Sequence, residues 1–202
     1  MNFHSKDIIL AHEIIAESKG IKIHYNSNTL NGIVESMNQS FNGKYLHPDI
    51  YEKAAILFEH IIRFHPFLDG NKRTAMFSLK LYLRLQNIIF ISFPSDVRFL
   101  ISVAQNCNSA PEDTTHLIRN IQRWISYHCA YINNAEEING LIDRNIKILE
   151  NVRYISIQRN NPDILSRSIN YWLVEGVYPD DNIDYHDLIK ESYTLRKSVN
   201  KI

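Results

Sequence analysis

The sequence predicts an all-α protein. Along most of its 202 residues, apolar side chains recur with the period of an α-helix, as Ile8, Ala11 and Ile15 do near the start. Only six glycines and six prolines are present. The segment from Ile88 to Phe93 resembles a strand, but a lone strand cannot form a sheet, so we interpret it as an extended connector.

Individual helices follow from apolar spacing and from capping residues. Ser5 is the expected N-cap of the first helix, Asp49 caps the third, and residues 41–48 are rich in turn formers and read as a loop. Predicted helices lie at residues 5–18, 29–38, 50–64, 71–86, 95–107 and 112–129. Three more are expected at 134–159, 163–174 and 184–198. This pattern predicts one domain at 1–130 and a helical extension of unknown role at 131–202.

Composition excludes several classes of protein. A hydrophobic content of 45% and an aromatic content of 11% are typical of a folded globular chain. The 22 basic residues balance the 22 acidic ones, which argues against nucleic acid as the main partner. Because His4, Lys6 and Asp7 interrupt the start and no apolar run approaches ~20 residues, we expect a cytoplasmic protein without a membrane anchor. Cys107 and Cys129 lie in apolar helical segments and are expected to be free, buried thiols.

Residues 63–74, RFHPFLDGNKRT, carry the chemistry. One helix ends before Pro66, and another begins at Gly70 and Asn71 with Lys72 and Arg73 in its first turn. Cations are unfavourable at this end of the helix dipole, whereas an anion is favoured there. A bound phosphate chain therefore explains the two cations, with Gly70 allowing close backbone approach and Asn71 adding an amide donor.

The same loop offers a base, a metal ligand and an anchor. His65 can accept a proton from an attacking hydroxyl. Asp69 can hold Mg²⁺, which usually takes one or two protein carboxylates together with phosphate oxygens and water. Phe67, between these polar residues, is expected to point into the core and anchor the loop. The alternative interpretation is purely structural: His65 is a hydrogen-bonded loop residue without a catalytic role, and Asp69 only caps a helix.

The segment HPFLDGNKRTA resembles the active-site motif of the Fic/Doc superfamily. Its lysine form is that of the Doc (death-on-curing) branch, and the lead-in YLHPDIYEKAAILFEHIIRF is similar to the helix that precedes the motif there. The similarity covers roughly residues 3–128. It implies a Fic/Doc-type helical bundle with a C-terminal helical extension.

The resemblance also implies a function. A Doc-like toxin of a type II toxin–antitoxin pair would use ATP and Mg²⁺ to phosphorylate a Ser or Thr hydroxyl of a target protein, elongation factor Tu being the known target in that branch. An antitoxin protein would be a further partner. The implied roles are a general base at His65, a Mg²⁺ ligand at Asp69, a loop anchor at Phe67, and nucleotide binding at Gly70, Asn71, Lys72 and Arg73.

Two other functions stay open. Most Fic proteins transfer AMP to a protein hydroxyl and have glycine where this chain has Lys72, so an AMP transferase is the first alternative. A non-catalytic, nucleotide-sensing regulator is the second. Residues 42–45 occupy the position of the family's target-docking flap, although a plain surface turn explains them equally well.

The extension is harder to interpret. Many Fic proteins are silenced by a helix that carries a hydroxyl residue four positions before a glutamate. Here Tyr171 occupies the hydroxyl position before Glu175 and Gly176, so that pattern fails at one place. We interpret the extension as a helical subdomain that shields apolar surface or mediates dimerisation.

Overall fold

The structure is a computed structural model that describes residues 3–20, 22–91, 99, 103–107, 111–134, 136–141 and 143. The chain divides into two compact units. The first comprises Met1–Ile88 and Leu100–Tyr127, and it contains the whole motif loop. The second comprises Ile89–Phe99 and His128–Ile202.

The described residues are mainly helical, so the all-α prediction is confirmed. The helices whose full bounds lie within the described residues are α1 (Ser5–Lys19), α2 (Ser27–Met37), α3 (Ile50–Phe64), α4 (Asn71–Leu85) and α5 (Pro111–Tyr127), and residues 103–106 are helical as well. The strands are β1 (Ser40–Phe41), β2 (Lys44–Tyr45), β3 (Ile88–Phe90) and β4 (Cys129–Tyr131). They form two small two-stranded sheets, β1 with β2 and β3 with β4.

Helix α3 lies at the centre of the first unit. It packs against α2, α4 and α5, while α1 packs against α4. Phe58 of α3 is fully buried, and its ring centroid lies 5.5 Å from that of Trp124. Ile61 and Ile62, one turn further on, are also buried. The end of α3 is therefore held rigidly at the point where the motif loop begins.

Local capping explains where the helices start. The Asp49 side chain accepts a hydrogen bond from the Glu52 amide at 2.8 Å, as the sequence predicts. Ser5 is not the N-cap of α1, contrary to prediction. His4 is the cap instead, and its backbone N–H donates to Asp7 Oδ2 at 2.7 Å. The acidic residue at the third helical position decides this boundary, because it can reach back to the exposed amide.

Two predicted irregular segments contain strands. The loop prediction for residues 41–48 was wrong in part, because Phe41 pairs with Lys44 in a tight antiparallel hairpin. Asn42 and Gly43 form its two-residue turn with φ of 50° and 74°, the positive values that such hairpins require. The connector interpretation of Ile88–Phe93 was also wrong for β3. Its partner β4 was partly hidden in the predicted helix 112–129, which ends at Tyr127.

The second unit has a small core of its own. Ile91, Ala130, Ile138 and Leu141 are buried together, with Ile89 packed against them. Residues 136–141 are helical. Most of the predicted helix 134–159, both later helices and the segment around Glu175 lie outside the described residues.

Both cysteines are free and buried, as predicted. Burial raises the pKa of each thiol, Cys107 and Cys129, to about 12. Among the described residues, no helix combines the length and apolar character needed to cross a bilayer.

Candidate active site

The motif loop joins α3 to α4 through two residues with left-handed backbone. His65 ends α3 with φ 44° and ψ 58°, and Gly70 precedes α4 with φ 77° and ψ 6°. Glycine adopts this conformation freely, but histidine does so at a cost. His65 therefore keeps its backbone conformation only because the neighbouring structure holds it there.

Phe67 fixes the inner side of the loop. Its side chain is 3% exposed. The ring stacks on the imidazole of His12 in α1, with centroids 3.8 Å apart and an angle of 15° between the planes. Tyr25 meets the same ring edge-on at 6.3 Å, and its backbone forms a β-bridge with Phe67. The loop is thus attached to the core by the residue midway between His65 and Asp69.

Asn71 closes the loop from the other side. It is buried, and its Oδ1 accepts a hydrogen bond from the Phe67 amide at 3.0 Å. Its Nδ2 donates to the Phe67 carbonyl at 2.7 Å. The motif alone predicts anion binding for this amide and does not indicate its loop-closing contacts. The asparagine at the start of α4 satisfies both backbone groups of the anchoring phenylalanine.

Residues 24–26 hold the outer side of the loop. The Asn26 amide donates to the Pro66 carbonyl at 2.9 Å, and the Leu68 amide donates to the His24 carbonyl at 3.3 Å. Beside these contacts lies an open cleft of about 650 Å³, lined by residues 24–28 and 65–68. His65 is exposed at this cleft, so its imidazole is accessible from solvent.

The charged residues of the motif lie around the start of α4. Asp69 is exposed, and its Oδ1 accepts a hydrogen bond from the Gly70 amide at 2.6 Å. Lys72 is exposed and Arg73 is half-buried in a first turn that has no acidic residue. This turn combines outward-facing backbone amides with two cations, which suits a phosphate group.

The residues present are compatible with Mg²⁺ bound beside a phosphate chain. Within the described ranges, no group of three or more His, Cys, Asp or Glu is arranged to hold a metal ion alone. A single carboxylate at Asp69 is nevertheless typical of Mg²⁺ sites that use phosphate oxygens and water as the other ligands. The second carboxylate oxygen of Asp69 would serve as that protein ligand.

His12 is a site residue that the sequence does not indicate. It is 1% exposed, and its Nδ1 lies 2.9 Å from Thr74 Oγ1 in α4. Burial lowers the pKa of His12, although the nearby Asp69 and Glu13 carboxylates act in the opposite direction. A histidine on the apolar side of a helix carries no sequence signal for this role. We call His12, Phe67, Asn71 and Thr74 the loop clamp.

A second buried polar cluster lies one turn before the loop. The Glu59 side chain is fully buried, and its carboxylate accepts hydrogen bonds from Arg63 Nε at 2.5 Å and His60 Nδ1 at 2.6 Å. Burial raises the pKa of Glu59, but the bonds from His60 and Arg63 outweigh it, so the pKa lies below its ordinary value. Cys107 Sγ lies 3.9 Å from Glu59, and Arg63 reaches Thr114 at 3.4 Å. We call these five residues the Glu59 cluster.

Residues 2–83 match the family model described as the Fic/DOC family. The matched segment includes α1, α2, α3, the motif loop and most of α4, and it supports a place for this region in the Fic/Doc superfamily. A domain of this family implies a nucleotide-dependent transferase or toxin-like function. Neither the search of curated proteins nor the search of solved structures gave a match.

Proposed function

We propose that this chain is a Doc-like toxin of a type II toxin–antitoxin pair, which uses ATP and Mg²⁺ to phosphorylate a serine or threonine hydroxyl of a target protein. The observation that best supports this proposal is the presence of a lysine, Lys72, at this position of the motif. It is exposed in the first turn of α4, where a glycine would let a diphosphate lie directly against the backbone. A lysine supplies a point charge there and holds a phosphate at a different distance. We infer that the γ-phosphate faces His65.

In this proposal His65 is the general base. Its exposed imidazole lines the open cleft, so a hydroxyl group of a folded target can approach it. The imidazole would accept the hydroxyl proton as the oxygen attacks the γ-phosphorus, and ADP would leave. Phosphoryl transfer depends mainly on positioning and charge stabilisation. A base on a rigidly held loop meets the positioning requirement.

The start of α4 would stabilise the phosphate charge. Its free backbone amides, Lys72 and Arg73 all belong to the first turn of this helix, where the helix dipole favours an anion. Asp69 would hold Mg²⁺ together with phosphate oxygens, and the ion would neutralise part of their charge. Asn71 acts on the loop through Phe67, so its part in nucleotide binding would be to fix the backbone of the helix start.

A protein-sized target agrees with the surface of the first unit. Phe41 and Tyr45 of the hairpin are 70% and 60% exposed, and Leu68 in the motif loop is 79% exposed. Aromatic side chains such as Phe41 and Tyr45 are enriched in the cores of protein–protein interfaces, so the hairpin is suited to contact a target protein. The antitoxin partner remains an expectation from the resemblance.

The test is transfer of label from ATP to protein in a cell extract. Wild-type protein should transfer label from γ-labelled ATP and leave α-label behind. His65→Ala should lower transfer by ~10²–10⁴-fold, the usual contribution of a general base. Lys72→Gly should lose γ-transfer. Lys6→Gly is the matched control, because Lys6 is an exposed lysine at the same position in the first turn of α1.

Each other outcome identifies a different function. Transfer of α-label by the wild-type protein would overturn the kinase assignment in favour of an AMP transferase. Nucleotide binding without transfer of either label would favour a non-catalytic regulator. Full activity in His65→Ala would exclude His65 as the base.

A further inference from the structure

His12 touches the motif at three separate places. Its ring stacks on Phe67 in the loop, and its Nδ1 lies 2.9 Å from Thr74 Oγ1 in α4. A Cβ placed on Gly70 would lie 3.5 Å from His12 Cε1, so the imidazole also borders the start of α4. One buried side chain from α1 therefore contacts the loop and the helix body and lies close to the helix start.

The contacts need the particular chemistry of an imidazole. Near-parallel stacking on Phe67 requires a flat ring, since the angle between the planes is only 15°. Thr74 is completely buried, and its hydroxyl needs a polar partner in that environment. A phenyl ring would supply the stacking alone. Histidine satisfies both demands within one side chain.

These contacts bear on the conformation of His65. Phe67 lies two residues after His65, and its ring, amide and carbonyl are held by His12 and Asn71. The Pro66 carbonyl between them is held by Asn26. Because the φ of His65 is +44°, unfavourable for a histidine, the residues that follow it must be fixed to maintain it.

We propose that His12 is a positioning residue for His65, acting through the stacked Phe67 ring and the Thr74 hydroxyl. Burial lowers the pKa of His12, which keeps the ring neutral near neutral pH and able to stack and to share a hydrogen bond. The catalytic part of this inference rests on the proposed function, whereas the structural part does not.

The first experiment compares His12→Phe with wild type. Phenylalanine keeps a ring against Phe67 and removes the bond to Thr74. A displacement of about 1 Å at a reacting group costs up to ~10²-fold in rate, so we expect kcat, measured as transfer of γ-label to protein in cell extract at saturating ATP, to fall by about 10–10²-fold. The KM for ATP should stay within about 3-fold, because the phosphate-binding residues are unchanged. Ile33→Ala in α2 is the control for loss of packing at a fully buried site away from the clamp.

Two variants of Thr74 provide an independent measurement. Thr74→Ser keeps the hydroxyl and should retain most of kcat, whereas Thr74→Val should reproduce the loss seen in His12→Phe. Equal losses in Thr74→Ser and Thr74→Val would overturn the proposal, because the hydroxyl would then be irrelevant. A loss of kcat in Ile33→Ala as large as that in His12→Phe would also overturn it, since general destabilisation would explain both.

Amide hydrogen exchange separates this inference from the proposed function. If the wild-type protein transfers no label, the proposed function fails, but exchange at residues 65–71 still reports on the loop. Faster exchange there in His12→Phe and Thr74→Val, but not in Ile33→Ala, would support the positioning role. Unchanged exchange in His12→Phe would overturn it.

Discussion

The loop clamp and the Glu59 cluster are both buried polar groups near the end of α3, but they are built on different chemistry. The loop clamp joins neutral groups, an imidazole, an amide, a hydroxyl and a phenyl ring. The Glu59 cluster surrounds a fully buried carboxylate with Arg63 and His60. A neutral cluster is stable when all its polar groups are hydrogen-bonded. A buried charge also needs partners whose attraction offsets the free-energy cost of removing it from water.

The two clusters also hold different parts of the molecule. The loop clamp attaches the motif loop to α1 and α4. The Glu59 cluster attaches the last turn of α3 to residues 103–107 through Cys107 and to α5 through Thr114. His65, the proposed general base, therefore lies between a neutral anchor at Phe67 and an ionic one at Arg63. Substitutions at the two anchors should therefore have different signatures.

The largest expected effect is the loss of the Phe67 ring. Phe67→Ala should lower the free energy of unfolding by ~3–5 kcal/mol, because it leaves a cavity and removes the stacking partner of His12. Urea denaturation measures this loss. Leu68→Ala is the control, since Leu68 is 79% exposed beside it and should cost less than about 0.5 kcal/mol. Equal losses in the two variants would refute the anchoring role of Phe67.

Removal of the Glu59 carboxylate should lower the free energy of unfolding slightly less than removal of the Phe67 ring does. Glu59→Ala leaves Arg63 and His60 without their buried partner, and breaking such a pair costs ~3–5 kcal/mol when both charges are buried. Because the Arg63 side chain is 19% exposed and can gain water, we expect a loss near the low end, about 3 kcal/mol. Glu59→Gln keeps the shape and one acceptor and should lose less. A neutral or stabilising Glu59→Ala would exclude an essential ionic anchor.

The pH dependence of stability should separate the clusters. The pKa of His12 is lowered from 6.5 in the folded state, so its contribution is complete above pH 6.5 and is lost as pH falls below it. The pKa of Glu59 is lowered from 4.5, so its contribution is lost only below about pH 4.5. The free energy of unfolding can be measured in urea from pH 8 to pH 3. It should decline less than in wild type near pH 6 for His12→Phe, and less than in wild type below pH 4.5 for Glu59→Gln. Curves that match wild type in both windows would contradict the assignment.

The smallest effect concerns thiol reactivity. Burial raises the pKa of Cys107 to about 12, and the Glu59 carboxylate contributes to the rise. Only the thiolate reacts with alkylating reagents, so Cys107 should label slowly at pH 8 in the folded protein. Glu59→Gln should label faster at Cys107. Labelling at Cys129 should not change, because burial and Glu137 raise its pKa to about 12 independently of Glu59.

Several features of this protein were determined by the sequence itself. Helical periodicity and caps such as Asp49 predicted α1 to α5 to within a few residues, because the hydrogen bonds of a helix are local. The motif, from His65 to Arg73, identified the candidate site, because its residues follow one another in a single loop and helix start. The two cations at the start of α4 could also be recognised from the sequence, because they are adjacent in the chain.

Only the tertiary structure decided the features that join distant residues. The pairing of β3 with β4 escaped prediction, because a strand shows its own period but not its partner. His12 and Thr74 are separated by 62 positions, yet their side chains share a buried hydrogen bond. The motif gave no sign that the Asn71 side chain bonds to the Phe67 backbone, because those contacts depend on how the loop folds. A buried polar group costs free energy unless it is hydrogen-bonded, so these groups need partners inside the protein. The packing of α1 on α4 determines which partners lie within reach.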